Sequence, residues 1–130
     1  MGVKDNTQQT SAQTIKFKDY PWTAFYQYEG ELYKMTLTSI KLENGQFSAN
    51  GSDTIGDFNF QGIAQDGDFT FVKSYIGQHQ MVYEGNFYPE SEVIVGRWHQ
   101  PDYEENTDLF IILPESKESN AAHFINQHSE

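Results

Sequence analysis

The chain has 130 residues, with 19 acidic against 8 basic side chains and a formal net charge of −11 at pH 7. This length suits one domain with a single hydrophobic core. Nucleic acid and anionic membrane surfaces are not expected as partners, because Lys and Arg are few and form no cluster. Cysteine is absent, which rules out disulfides and thiolate metal sites.

Both ends of the chain are polar. Residues 1–18 are rich in Gln, Thr and Ser and lack periodicity, so we expect a disordered N-terminal arm. They contain no apolar run of the kind found in signal peptides, which predicts a cytoplasmic protein. Residues 115–130 are predicted to form a flexible C-terminal tail, in which 121–127 is long enough only for a short, marginal helix. Residues 19–114 are predicted to be the folded domain.

The folded domain has the pattern of β-strands. Aromatic and aliphatic residues recur two apart, and turn signals separate these runs roughly every ten residues. Helical spacing is not found between the two ends. The pattern predicts an all-β fold, a single antiparallel up-and-down barrel of about eight strands. The predicted strands lie near 22–28, 31–42, 46–51, 57–64, 68–75, 79–87, 92–99 and 108–113.

The turns between these runs test the assignment. Asn44-Gly45 and Asp66-Gly67 are the residue pairs preferred in two-residue type I′ hairpins, which need positive φ at both positions. Each of these loops brings apolar residues of two strands onto one face, and a one-residue slip would separate them. After Tyr75 the same criterion favours a three-residue loop, Ile76-Gly77-Gln78. A bulge near Thr38-Ser39 would reconcile the two halves of the second strand.

The predicted inner face is aromatic and is interrupted by glycine. Gly62, Gly85 and Gly96 fall on it, which indicates sharp coiling of a narrow barrel or room for a facing ring. An eight-stranded barrel is narrow enough to be filled by its own large side chains. The large inward residues are predicted to be Phe47, Phe58, Phe60, Phe69, Phe71, Met81, Tyr83, Ile94 and Trp98.

The last predicted strand is apolar on both faces. Residues 109–113 read Leu-Phe-Ile-Ile-Leu, so one face must contact something outside the barrel interior. Coverage by the chain's own ends is favoured over dimerisation through this strand.

The chain has an early aromatic strand at Trp22–Tyr28, short hairpins and a late Gly96-x-Trp98. In these features it resembles the calycin-like barrels, which include the avidin and lipocalin families. The resemblance is architectural and covers most of residues 20–113. Lipocalins carry their Gly-x-Trp in the first strand rather than the seventh, so no ligand or site residue of either family is carried over. What the resemblance implies is a fold that often holds a small molecule in its mouth.

Motifs for catalysis or metal binding are missing from the sequence. It contains no nucleophile elbow, phosphate loop or dinucleotide fingerprint, and no acidic residue falls on the apolar face. The four histidines lack metal-ligand spacing. The acidic segment 102–108 lacks the spacing of a calcium loop and is predicted to be a solvated connection. We therefore expect neither an enzyme nor a bound cofactor or metal.

One polar cluster stands out on the predicted inner face. Lys73, Tyr75, His79 and Tyr83 come together near the 76–78 loop, and Trp98 supplies an apolar wall. An inward lysine is unusual unless it is paired, solvated or bound to an anion. Two interpretations stay open: Lys73 binds a ligand carboxylate or phosphate, or it lies at the barrel rim with its ammonium in water.

These observations predict a non-enzymatic binding protein that holds a small, partly apolar ligand at one mouth of the barrel, through Lys73, Tyr75, His79, Tyr83 and Trp98. The alternative is a filled barrel that acts as a protein–protein interaction module, as a monomer or a dimer. In that case the chain's tails and outward aromatic residues would form the interface. The residues predicted to face outward are Tyr26, Tyr88, Tyr103 and Phe110.

Overall fold

The computed structural model describes residues 15–129, in which eight antiparallel strands form one closed barrel. Strands that follow one another in the chain are neighbours in the sheet, and the first strand pairs with the last to close it. The predicted all-β up-and-down barrel is confirmed, and the architecture is that of the calycin-like barrels. The strands are β1 (Trp22–Tyr28), β2 (Glu31–Glu43), β3 (Gln46–Ser52), β4 (Asp57–Gln65), β5 (Asp68–Tyr75), β6 (Gln80–Tyr88), β7 (Val93–Gln100) and β8 (Tyr103–Pro114).

The two tight hairpins form as predicted. Asn44 and Gly45 have φ of 52° and 81°, and the Asp66-Gly67 turn has φ of 54° and 87°, which are the positive values that type I′ turns require. The turn chemistry therefore sets the registers next to both turns. Leu42 pairs with Phe47 and Ile40 with Ala49 across the first turn, and Ala64 pairs with Phe69 across the second, as predicted.

The connection between β5 and β6 is the predicted three-residue loop. The backbone N–H of Tyr75 donates to the carbonyl of His79 at 3.1 Å, and Lys73 pairs with Met81 across the ladder. The predicted irregularity of β2 is also present, because the β2–β3 register shifts between Leu37 and Ser39. This bulge lets both halves of β2 direct apolar side chains inward.

The acidic connection before the last strand differs from the prediction. β8 begins at Tyr103, so most of segment 102–108 is strand rather than a solvated loop. It extends the hairpin with β7, pairing Trp98 with Asp108 and His99 with Thr107. The side chains of 103–107 are exposed, so the segment has no apolar alternation from which a strand could be recognised.

One end of the barrel is closed by the segment that enters β1. Phe17 packs edge-on against Trp22, with 4.8 Å between ring centroids, and lies 5.9 Å from the ring of Phe47. The indole Nε1 of Trp22 donates to the carbonyl of Lys16 at 3.0 Å. The predicted disordered arm therefore includes, at residues 15–18, a plug for the barrel, while residues 1–14 lie outside the described part of the chain.

Residues 115–129, predicted to be a flexible tail, are instead ordered as a 3₁₀ helix (Glu115–Asn120) and helix α1 (Ala121–His128). α1 lays Ala121 and Ile125 on the outer face of β7 and β8, where they form a second apolar cluster that includes Ile111 and Leu113. The expectation that the chain covers its own last strand is thus confirmed. Within residues 15–129, no helix has the length and apolar character needed to span a bilayer.

The inward glycines mark places where strands approach closely. A Cβ at Gly62 would collide with the carbonyl oxygen of Thr70 and the Cα of Phe71, both in the neighbouring strand. A Cβ at Gly85 would lie 2.9 Å from the ring of Phe110. Gly62 therefore permits close approach of two strands, and Gly85 leaves room for a facing ring, one of the two roles that the sequence indicated.

Gly62→Ala is expected to destabilise the barrel by about 1–3 kcal/mol, because backbone atoms of β5 must move to admit the methyl group. Urea unfolding followed by circular dichroism measures the effect. Gln61→Ala is the matched control, since Gln61 is the preceding, exposed residue of the same strand. Equal free energies of unfolding for the two variants would contradict the close approach of β4 and β5.

Ile125→Ala is expected to cost about 2–5 kcal/mol, because it leaves a cavity between α1 and the outer face of β7–β8. Asn126→Ala, at the next and exposed position, should leave stability nearly unchanged. Thermal unfolding of both variants tests whether α1 is an integral part of the fold. A similar midpoint for both would show that α1 contributes little.

Candidate ligand-binding site

The barrel is open at the end opposite Phe17. A pocket of about 290 Å³ occupies this end, between the β3–β4 connection and the ends of β1, β5, β6 and β7. Its walls are mainly aromatic. The lining residues are Tyr26, Tyr28, Ile55, Lys73, Tyr75, Met81, Tyr83, Trp98 and Gln100.

Four of the five predicted site residues line this pocket, namely Lys73, Tyr75, Tyr83 and Trp98. His79 does not. It is exposed beyond the three-residue loop and lines a separate surface cavity with residues of the β7–β8 turn. Its ring still lies 5.1 Å from the ring of Tyr75. The predicted loop is present, but the pairing of β5 with β6 ends at Ser74 and Gln80, so His79 lies beyond the ladder and its side chain is not held inside the barrel.

The floor of the pocket is a buried ion pair. The Nζ of Lys73 donates to Asp53 Oδ2 at 2.7 Å and to the Tyr75 hydroxyl at 2.6 Å. The Tyr75 hydroxyl in turn donates to the same Oδ2 at 2.7 Å. The side chains of Lys73 and Asp53 are 1% and 0% exposed, so the two charges compensate each other away from solvent. A weaker contact joins Nζ to the sulfur of Met35 at 3.3 Å.

The sequence analysis missed Asp53, and the statement that no acid reaches the apolar interior was wrong. Asp53 directly follows β3, in the connection to β4. Its Oδ1 accepts hydrogen bonds from the backbone N–H groups of Ile55 and Gly56 at 2.9 and 3.3 Å, which is a local turn that Asp favours. This turn directs Oδ2 inward to Lys73. The Asp-x-x-Gly spacing was a local signal for the turn, but not for its inward direction.

Neither interpretation of Lys73 describes what is found. The ammonium is not in water at the rim, and the anion that it meets belongs to the protein. Aromatic rings complete its surroundings: Nζ lies 4.6 Å from the ring centroid of Tyr26 and 4.5 Å from those of Phe58 and Tyr75. Such cation–π contacts favour a desolvated ammonium.

Burial and pairing act in opposite directions on the titration of this pair. Burial lowers the pKa of Lys73 to about 8, although the hydrogen bond and charge of Asp53 raise it. For Asp53, burial raises the pKa, but the hydrogen bonds from Lys73 and Tyr75, the charge of Lys73 and the Ile55 backbone N–H together hold the pKa below its ordinary value. The pair is therefore ionised at neutral pH, with a lysine that loses its proton more readily than one in water.

The tyrosines of the pocket remain neutral hydroxyls. Burial, followed by the hydrogen bond to Asp53, raises the pKa of Tyr75. Burial also raises the pKa of Tyr83 well above its ordinary value. The hydroxyl of Tyr83 donates to the sulfur of Met35 at 3.9 Å, a long contact with a weak acceptor. Tyr83 thus contributes a weakly bonded hydroxyl to the residues that line the pocket.

The outer part of the pocket is an aromatic wall. Tyr26 packs edge-on against Trp98 at 6.0 Å, and Tyr28 lies 6.3 Å from the same ring. The indole Nε1 of Trp98 donates to the carbonyl of Gln27 at 3.1 Å, which fixes the plane of the ring. Tyr28 and Ile55 are 49% and 46% exposed and form the rim.

Two residues predicted to face outward are inside. Tyr26 lines the pocket, and Phe110 is fully buried in the core against Tyr83, with 4.8 Å between centroids. β8 is apolar on both faces, so alternation does not decide the side of Phe110. In β1 the aromatic residues Phe25 and Tyr26 are adjacent and point to opposite faces, and Tyr26 is the inward one. Tyr103 is exposed as predicted, whereas Tyr88 is partly covered by the His128 ring stacked on it at 3.8 Å.

A larger groove, of about 450 Å³, lies on the outer face of β5–β7 beside the end of α1. Its surface carries Thr70, Glu84 and Arg97 and is open to solvent. The pocket at the barrel mouth is the better candidate because aromatic residues enclose it and buried polar groups converge on it. No group of metal-ligating side chains occurs within residues 15–129.

Comparison of the chain with protein-family models, curated proteins and solved structures finds no match. The class of protein is accordingly defined by its fold, a closed eight-stranded barrel with an open mouth.

Breaking the ion pair is expected to cost more than removing it. Lys73→Met or Asp53→Asn alone should destabilise the protein by about 3–5 kcal/mol, because each leaves an uncompensated buried charge. The double variant Lys73→Met/Asp53→Asn should lose less than the two single losses combined. A double-mutant cycle from urea unfolding measures this coupling, and additive losses would contradict a direct interaction.

Stability should depend on pH through Lys73. Its pKa is about 8 in the folded protein against an ordinary 10.5, so between these values the unfolded chain holds a proton that the folded chain has released. The contribution of Lys73 to the free energy of unfolding therefore rises with pH in this window, by at most about 1.4 kcal/mol per unit. We expect the stability of the wild type relative to the Lys73→Met/Asp53→Asn variant to rise between pH 8 and pH 10. A pH-independent difference in urea unfolding would contradict the lowered pKa.

Proposed function

We propose that this barrel is a non-enzymatic binding protein for a small, neutral and partly apolar ligand, held in the pocket at its open mouth. The supporting observation is a pocket of about 290 Å³, open at the mouth, whose walls are mainly aromatic and whose lining includes Lys73 of a compensated ion pair. This volume lies at the small end of the range that ligand sites span.

The charge balance of the floor favours a neutral ligand. Asp53 already neutralises Lys73, so a carboxylate or phosphate would bring a second negative charge beside a buried carboxylate. The net charge of −11 also opposes anions at long range. A ligand cation would meet the Lys73 ammonium. A neutral ligand leaves both members of the ion pair in place.

The shape of the walls favours a flat ring. Tyr28 and Trp98 face the mouth from two strands, and ring stacking or edge contacts would add to the burial of apolar surface. The hydroxyl of Tyr83 and the amide of Gln100 are the polar groups that would orient the ligand. The protein-interaction alternative loses support, because Tyr26 and Phe110 lie inside the barrel.

The two tryptophans provide the test. Trp98 lines the pocket and Trp22 lies at the closed end, so Trp22→Phe leaves a fluorescent reporter in the site and Trp98→Phe leaves one outside it. Titration with a library of neutral aromatic fragments should change the emission of the Trp22→Phe variant in a saturable way. The emission of the Trp98→Phe variant should not change.

Native mass spectrometry of gently purified protein complements the titration, since a retained ligand adds a mass that denaturation removes. The proposal fails if no fragment changes the Trp98 emission and no ligand mass is retained. It also fails if both variants respond equally, because the ligand then binds elsewhere.

A further inference from the structure

We infer that Lys73 binds an aldehyde or ketone covalently, as an imine, at the floor of the mouth pocket. The inference deepens the proposed function, on which it rests, by naming the chemical class of the ligand. Its basis is the position of one amine among the groups that imine formation needs: an apolar enclosure, a carboxylate at 2.7 Å and a hydroxyl at 2.6 Å.

The first requirement is an amine that is not permanently protonated. Nζ lies among the rings of Tyr26, Phe58 and Tyr75, and its side chain is 1% exposed. Burial lowers its pKa to about 8, so roughly a tenth of the lysine is free amine at pH 7, far more than for a lysine in water. Lys34, by contrast, is exposed and pairs with Glu118 at 3.2 Å.

The second requirement is a direction from which the carbonyl carbon reaches Nζ. Two of the three donor directions of the ammonium end on Asp53 and Tyr75. The third ends on the sulfur of Met35, a weak acceptor, at 3.3 Å. Tyr83, whose hydroxyl lies 3.9 Å from the same sulfur, lines the pocket. Since Lys73 itself lines the pocket, a ligand carbon approaches Nζ from the pocket side, and the weak contact to Met35 in the core is the one that the amine gives up.

The reaction balances without an oxidant or reductant. Asp53 accepts one proton from the ammonium, and the freed nitrogen lone pair forms a bond to the carbonyl carbon while the C=O π pair moves to oxygen. Transfer of a proton from nitrogen to this oxygen gives a carbinolamine. The carbinolamine oxygen, protonated by the Asp53 carboxyl, leaves as water, and the nitrogen lone pair forms the C=N bond.

The product is a protonated imine with Asp53 as its counterion. One positive and one negative charge are present before and after the reaction, so the buried site keeps its charge balance. The lysine nitrogen keeps one N–H, which can remain hydrogen-bonded to Asp53. The Tyr75 hydroxyl keeps its own hydrogen bond to Asp53. Binding of this kind is reversible, because water in the open mouth can reverse the steps.

Benzaldehyde and benzyl alcohol are a matched pair of probes, since they share the ring and differ in the carbonyl. The full chain is incubated at neutral pH with benzaldehyde and sodium cyanoborohydride, which reduces an imine to a stable amine. Intact mass and peptide mapping then measure the adduct, whose mass is that of one aldehyde less one water plus two hydrogens. We expect Lys73 to be labelled on the order of tenfold or more faster than Lys34 or Lys41. Excess benzyl alcohol should suppress this labelling.

The Lys73→Met/Asp53→Asn variant is the control for site, as it keeps the shape of the floor and removes both charges. It should lose the rapid labelling. Benzyl alcohol binding is measured separately on the Trp22→Phe variant, which keeps both charges, from the Trp98 emission. Labelling of Lys73 no faster than that of Lys34 overturns the imine, and bound benzyl alcohol in the separate measurement leaves the proposed binding function standing. The imine is also overturned if benzaldehyde does not label Lys73 and benzyl alcohol does not bind. In that case the fragment titration decides whether the proposed binding function stands.

Discussion

The architecture of the open end depends on the placement of one lysine inside an aromatic barrel. A buried ammonium is costly unless a carboxylate meets it, and the carboxylate here comes from the connection between β3 and β4. Because Asp53 must reach inward, the whole 53–56 turn is held against the mouth, and Ile55 becomes part of its rim. The same carboxylate fixes the Tyr75 hydroxyl. The pocket is thus bounded by groups whose positions follow from neutralising Lys73.

The interior of the barrel is filled differently at its two ends. At the closed end the rings of Phe47, Phe60 and Phe71 pack with centroids 4.7–6.2 Å apart, and Phe17 seals the opening. No comparable plug covers the described residues of the open end. Polar groups occupy the floor there, and these cannot be packed against ring faces alone. The pocket therefore begins where the interior changes from packed aromatic rings to a buried ion pair.

Much of this fold could be predicted from the sequence, because turn chemistry and alternation agree wherever one strand face is polar. Asn44-Gly45 and Asp66-Gly67 determine two registers, and these place Lys73 inside. Alternation is uninformative in β8, where both faces are apolar, and it is weakened in β1, where Phe25 and Tyr26 are adjacent aromatic residues. Tyr26 and Phe110 were both assigned to the outside. Asp53 could not be found in this way, since it lies outside any strand and meets Lys73 only after β3, β4 and β5 are assembled.

The pairing of β1 with β8 has a consequence for folding. Trp22 pairs with Pro114 and Tyr26 with Phe110, so the contacts that close the barrel join residues from nearly opposite ends of the chain. Such contacts form slowly, because the entropy of a long loop must be lost before they stabilise anything. The hairpins can form early and locally, but a chain still emerging from the ribosome cannot enclose the mouth. If the mouth binds a ligand as we propose, capture begins only when synthesis has passed β8, and the bound ligand favours completely folded molecules over partly folded ones.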